Sequence, residues 1–280
     1  MQLASKENSK KQQVAGARAP DYSRFHLKID WLRELMTGII ITAWVVLAVQ
    51  TIVLSMEGAS AAYGAGMGLF DALNLQLGRA ADGFGAFVLS LCAPAQTLSF
   101  PLALMHTFLM WQLMVFAMML PGVMSIFDPA KSQSKPKSQM VLLSLGFVLA
   151  WSVFSLIAAG LQLTLQHFGH LTDGFVLQDW RLGLAVICFA VYYPLSLSGR
   201  RDLHHCNVLL RKLNHSQIID HPFFEGMHLG KKCIRCCWPM MLAMFGFGVM
   251  NILAMGVFTL LLIYQRRQKQ LPAVNAPIGV

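Results

Sequence analysis

The sequence predicts an all-α fold, a polytopic bundle of transmembrane helices with about five spans and a partly inserted outer segment. Three observations predict it. Of the 280 residues, 56% are hydrophobic and only 12% charged, about half the charge of an average soluble chain, so a soluble surface would lack its polar cover. Five apolar segments, about 38–56, 102–126, 139–162, 182–199 and 236–264, approach or exceed the roughly 20 residues that cross a hydrocarbon layer about 30 Å thick. None of the five contains an Asp, Glu, Lys or Arg.

Taken in order, residues 1–37 are polar and mixed in charge and read as a cytoplasmic tail. Within it, Tyr22 to Glu34 is expected to form an interfacial helix carrying Phe25, Ile29 and Trp31. The first span, 38–56, is followed by Ala59-Ser60-Ala61, which faintly resembles a signal-peptidase site. The polar region ahead of the span is unusually long for a signal peptide, so the span is expected to remain. The stretch 57–101 is glycine-rich and carries Asp71, Arg79 and Asp82. Its apolar part, Phe84 to Phe100, is short and interrupted by Pro94, and is expected to be half-inserted or amphipathic. Pro121-Gly122 should bend or end the second span, and Asp128-Pro129 follows it. The helical domain then runs to about residue 265, and 266–280 form a polar C-terminal tail.

The formal charge of +9 would suggest nucleic acid in a soluble protein. Here the cations lie between the apolar segments, which points to orientation in a lipid bilayer and excludes nucleic acid as a partner. With five spans and the N-terminus inside, the inner side holds the tail, Lys131, Lys135, Lys137, Arg200, Arg201, Arg211, Lys212, Lys231, Lys232 and Arg235. The outer side holds Arg79, Arg181 and the C-terminal Arg266, Arg267 and Lys269. Cys206, Cys233, Cys236 and Cys237 then lie in or beside an inner loop, where thiols stay reduced, so metal ligands or structural thiols are expected rather than disulfides.

The chemistry begins with absences. Intramembrane carboxylates are the usual mark of proton relays, and the spans have none. No phosphate-cradling glycine loop, HExxH or nucleophile elbow occurs, which argues against an ATP-driven pump and leaves no catalytic motif. What the spans contain is sulfur. In the second, His106, Met110, Met114 and Met118 recur every fourth residue and form one stripe on a helix. Thioethers suit soft Cu(I), and they also fill gaps beside aromatics such as Trp111 and Phe116.

The strongest local signal is Cys233-Ile234-Arg235-Cys236-Cys237-Trp238-Pro239-Met240-Met241. On a helix Cys233, Cys237 and Met241 are successive turns of one face, which Met244, Gly248, Asn251 and Met255 continue. Thiolates there bind Cu(I), Zn²⁺ or iron–sulfur centres, or act as a redox pair, or pack as small buried groups. Lys231, Lys232 and Arg235 would favour the thiolate form. Pro239 biases Trp238 away from helix, which would leave the cysteines on a turn. His204, His205 and Cys206 could complete the site from the same membrane face; His215 and His221 share that loop, and His228 precedes the cluster. His167 and His170, one turn apart in the outer loop, read as interfacial histidines before they read as a metal site.

These residues resemble a known family. Trp111-x-x-Met114-x-x-Ala117-Met118-Met119-x-Pro121, Trp151-x-x-Phe154-Ser155-x-x-Ala158 and Tyr193 are similar to its signatures. So are Cys206, Gly226, Gly230, Cys233-x-x-Cys236-Cys237-Trp238-x-x-Met241 and Gly248-Val249-Met250-Asn251. The family is that of bacterial predicted metal-binding integral membrane proteins, a domain of unknown function, and the likeness covers about 38–265. It implies a multi-pass protein of the bacterial inner (cytoplasmic) membrane with a metal site. Where the family places His directly before the glycine at Gly230, this chain has Leu229, with His228 one residue earlier, a turn of about 100° on a helix. The acidic residue that closes the family's last span is also absent near Tyr264-Gln265.

The resulting expectation is a membrane protein that binds a soft metal, Cu(I) before zinc. Cys233, Cys236 and Cys237 form the thiolate site, and Met241, Met244, Met114 and Met118 are intramembrane ligands. His228, His204, His205 and Cys206 are further candidates. Its role would be copper handling or delivery to a membrane metalloenzyme or copper protein. The alternatives are a structural subunit of a larger membrane complex and a thiol redox enzyme.

Overall fold

The computed structural model describes residues 22–56, 64–67, 99–127, 136–172, 175–216, 219–249 and 251–268. The helices are α1 (Tyr22–Met56), α2 (Phe100–Met118), α3 (Lys137–His167), α4 (Trp180–Tyr192), α5 (Leu197–His215), α6 (Pro222–Phe247) and α7 (Ile252–Gln268). Short 3-10 turns at Pro121–Phe127 and Tyr193–Leu195 follow α2 and α4. Among the described residues the one β feature is an isolated bridge between Leu171 and Leu177. The fold is all-α, as the sequence predicts.

Three helical stretches are long and apolar enough to cross a membrane: Leu32–Thr51, Phe100–Met118 and Ser138–His167. They correspond to the first three apolar segments. The interfacial helix expected over Tyr22–Glu34 is continuous with the first of them, since α1 runs unbroken from Tyr22 to Met56. The second ends where Pro121 and Gly122 forbid its continuation, the chain turning at Met119 into the 3-10 segment. Most of the stretch 57–101, with its expected half-inserted segment, lies outside the described residues.

The last two segments differ from single straight spans, and the reasons are local. Segment 182–199 is the first arm of a helix pair, Trp180–Leu195 and Leu197–Asn214, bent by 61°. Pro194 interrupts the ladder, and extended Ser196 restarts it by accepting a hydrogen bond from Gly199 N–H at 3.1 Å. Segment 236–264 is two helices, because Gly248 adopts φ +100° and ends α6. Asn251 then caps α7: its Oδ1 accepts from Leu253 N–H and Ala254 N–H, both at 3.1 Å. Its Nδ2 donates to the Phe247 carbonyl at 3.1 Å and to the Ala65 carbonyl at 2.9 Å, tying the turn 64–67 into the break. Gly64, at φ +119°, lies so close to the Phe247 carbonyl that no Cβ fits.

Helix α6 is the centre of the bundle, packing most extensively on α3 and then on α4 and α5. Its contact with α3 is made through glycine. A Cβ on Gly226 would collide with the Leu143 carbonyl, one on Gly146 with the Phe223 carbonyl, and one on Gly230 would stand 2.5 Å from Ala150 Cβ. The pair Gly226-x-x-x-Gly230 thus lets two backbones approach to near contact, as small residues do between apolar helices. Ile219, just ahead of α6, donates its N–H to Gln139 Oε1 at 3.3 Å near the start of α3, and Gly230 meets Ala150 further along both helices, so α3 and α6 run in the same direction. Gly183 against Gly246 and Phe189 against Trp238 place α4 antiparallel on another side of α6.

Replacing Gly230 by Leu is therefore expected to overpack this crossing at a cost of about 1–3 kcal/mol and to lower Tm by roughly 3 °C or more. Gly38, whose Cβ position meets nothing within 4 Å, supplies the control: Gly38→Ala should leave Tm unchanged or raise it slightly. Thermal unfolding of both variants in one detergent checks the contrast.

Candidate metal centre

The face of α6 that carries Gly226 and Gly230 continues through Cys233, Cys237, Met241 and Met244, at steps of three and four residues, and all are buried. The glycine crossing therefore turns these sulfurs inward. Pro239 does not displace them, because α6 runs unbroken from Pro222 to Phe247 with Pro239 inside it. The cysteines stand on a helix and not on the turn that Pro239 suggested. Proline has no N–H to give to the Arg235 carbonyl one turn earlier, and the Tyr193 hydroxyl lies 3.2 Å from that oxygen.

Cys236 extends the pair sideways. Its thiol donates to the Cys233 carbonyl at 3.1 Å, and its Sγ is 3.2 Å from that of Cys237. A fourth thiol comes from α5. Along that helix Leu203, Cys206, Leu210 and Leu213 are buried, a spacing of three, four and three residues that marks one apolar stripe. Packed on α6, the stripe brings Cys206 Sγ, Cys233 Sγ and Cys236 Sγ within 4.8 Å of one another. Cys206, Cys233 and Cys237 are buried and Cys236 is partly so; none of the five described cysteines is in a disulfide. Three sulfurs bonded at about 2.3 Å to one metal in a planar arrangement stand about 4 Å apart. The triad already has nearly that spacing.

This trio is not the one that the sequence put first. Cys206 joins Cys233 and Cys236, while Cys237 stands alongside at Cys236. The sequence offered Cys206, with His204 and His205, as a residue that could complete the site; the 61° bend that turns α5 onto α6 brings in the thiol and leaves the two imidazoles exposed. Among the described residues, these three thiols are the one group of His, Cys, Asp or Glu side chains close enough to share a metal. His204, His205 and His228 are exposed; the first two rings meet edge-on at 6.1 Å. His167 and His170 are exposed as well. Lys231 and Arg235 are exposed and Lys232 partly buried, about half a turn around α6 from Cys233 and Cys237.

Met114 and Met118 of α2 and Met241 and Met244 of α6 are each at most 1% exposed, and they share one continuous core with Cys206, Cys233 and Cys237. Aromatic side chains join the helices there. Trp111 stacks 5.6 Å from Phe245 and 6.5 Å from Phe154, and its Nε1–H donates to Gln162 Oε1 at 2.7 Å. The stripe expected on α2 keeps one face: Met110, Met114 and Met118 are buried and His106 partly so. On α6 the face ends at Gly248, so Asn251 and Met255 reach the core from α7.

Chemically the site is a set of soft donors. It offers three thiols within reach of one ion, a fourth beside them, and a core rich in thioethers, which is a donor set suited to Cu(I) and Zn²⁺. Comparison with known proteins points the same way. The profile of the PpoB2 family, described as copper chaperone, matches residues 108–280, a stretch that includes every thiol of the cluster. No curated protein and no solved structure matches the chain. The likeness to metal-binding proteins drawn from the sequence thus holds at the level of a copper-related family. By this match over more than half its length, the chain belongs to the PpoB2 family of copper chaperones.

Proposed function

We propose that this protein lies in the bacterial inner membrane with its N-terminus in the cytoplasm, binds Cu(I), and delivers it to a copper protein or membrane metalloenzyme. In this reading Cys206, Cys233 and Cys236 hold the ion and Cys237 is the thiol to which it can pass. Met241, Met244, Met114 and Met118 are thioether stations inside the bundle. His204, His205 and His228, exposed on α5 and α6, collect the ion at the surface.

The observation that carries the proposal is the convergence of three sulfurs from two helices within 4.8 Å, in a chain of the copper chaperone family. An all-sulfur site favours Cu(I) over harder ions. Zinc accepts thiolates too, but it commonly completes a tetrahedral shell with a fourth ligand. Membrane residence is supported by the outer surface. On α3, Leu142, Leu145, Leu149, Val153, Leu156 and Ile157 are each 41–67% exposed, and an apolar patch of that extent needs a lipid or protein cover.

Purified protein reduced and loaded with Cu(I) is expected to hold about one ion per chain, read by elemental analysis. Cys206→Ser and Cys233→Ser should each lower the affinity by a factor of about 100 or more, whereas Cys188→Ser, on the exposed face of α4, should not change it. Sub-stoichiometric copper in the unaltered protein would overturn the assignment. Excess Cu(I) should also displace Zn²⁺ from a zinc-loaded sample, and retention of zinc would reverse the metal preference. For the lipid-facing stripe, Leu149→Arg should reduce the membrane-integrated fraction, at a cost of about 2.5–3.5 kcal/mol for a cation at mid-span.

A further inference from the structure

The thiol triad depends on where α5 lies, and α5 follows a 61° bend. It is joined to α4 by only a short 3-10 turn and Ser196. At that corner one side chain touches both helices that carry the thiols. Tyr193 Oη lies 2.7 Å from Asp202 Oδ2 on α5 and 3.2 Å from the Arg235 carbonyl oxygen on α6. Asp202 is one turn before Cys206 on α5, and Arg235 is the residue before Cys236 on α6. Each end of the bridge therefore stands next to a thiol of the triad.

The bridge has a physical reason to form. Pro239 leaves the Arg235 carbonyl without its helical donor, and the Tyr193 hydroxyl takes that donor's place at 3.2 Å. The phenol ring that approaches it is held in place. Phe189 and Trp238 pack on Tyr193 at 5.9 Å each and on one another at 5.6 Å, so the hydroxyl has little freedom to swing away. One phenolic proton then stands between two acceptors, with the carboxylate at the shorter distance. A bond to an ionised acceptor is the stronger kind.

We infer that Tyr193 and Asp202 are positioning residues: together they form a latch that sets the reach of Cys206 to Cys233 and Cys236. The inference rests on the copper reading for its purpose but not for its geometry. Neither side chain is a metal ligand. Releasing the latch lets α5 tilt about the Pro194 corner, so the α6 thiols keep their spacing while Cys206 leaves.

The test separates geometry from metal. In metal-free protein carrying Cys233→Ser and Cys237→Ser, diamide oxidises Cys206 and Cys236 to a disulfide and takes up their two protons and two electrons. Mass spectrometry of the linked peptides gives the rate. Tyr193→Phe, which removes only the hydroxyl, is expected to slow this trapping by about tenfold. Asp202→Leu should do the same from the other helix and serves if Tyr193→Phe does not fold. Asp202→Asn, which keeps an acceptor for the phenol, should retain most of the rate. In the protein with all its cysteines, Tyr193→Phe should lower the number of sulfurs around Cu(I), read by X-ray absorption, from three to two. An unchanged trapping rate in both Tyr193→Phe and Asp202→Leu overturns the latch. Slowed trapping in a protein that binds no Cu(I) upholds the latch and removes the copper reading alone.

Discussion

The near contact of α3 and α6 is the constraint on which the remainder rests. Close packing of backbones holds apolar helices together, and glycine allows the closest packing. Gly226, Gly230 and Gly146 meet backbone or Cβ atoms across this seam with no room for a side chain. The contact also fixes rotation about the α6 axis. With the glycine face against α3, the residues that follow on the same face are directed inward whatever their chemistry. Those residues are Cys233, Cys237, Met241 and Met244. A packing device has thereby become an aiming device.

In the proposed function the thioethers serve two roles that do not compete. Met114, Met118, Met241 and Met244 fill the interior beside Trp111, Phe154 and Phe245, as flexible, polarisable side chains do in irregular gaps. The same softness makes them weak, exchangeable donors for Cu(I). An ion held too tightly cannot be passed on, and neutral thioethers beyond a thiolate site would offer a graded release. The polar contact between Trp111 and Gln162, made wholly within the core, adds a directional link between α2 and α3 that apolar packing alone lacks.

Much of this could be read from the chain, and what could not has identifiable causes. The first three helices announce themselves by length and hydropathy, and Pro121-Gly122 marks the end of α2. The inward face of α6 follows from the spacing of Cys233, Cys237 and Met241. The break at Gly248 was hidden because hydropathy stays high through Phe258, although glycine followed by asparagine is a known stop-and-restart pattern. That Cys206 could complete the cysteine cluster was legible, but its selection over the neighbouring His204 and His205 was not. It depends on a corner at Pro194 and Ser196 whose angle no local preference dictates. The segment around Pro239 admitted a turn beside the helix reading because the preference of the preceding residue is a weak prior. Here packing of Trp238 against Phe189 and Tyr193 overrides it.

Asn251 shows how narrow such a junction is. Its carbonyl oxygen serves two amides at the start of α7, while its amide nitrogen serves two carbonyls, one closing α6 and one in the turn 64–67. Aspartate, serine and threonine begin helices about as well, yet none carries two N–H donors beside an acceptor. Aspartate would set a negative charge against two carbonyl oxygens in a spot 1% exposed. The primary amide is thus the one small side-chain chemistry that can splice three pieces of backbone here, and glycine at position 64, where a Cβ would stand 3.2 Å from Asn251 Nδ2, keeps the approach open.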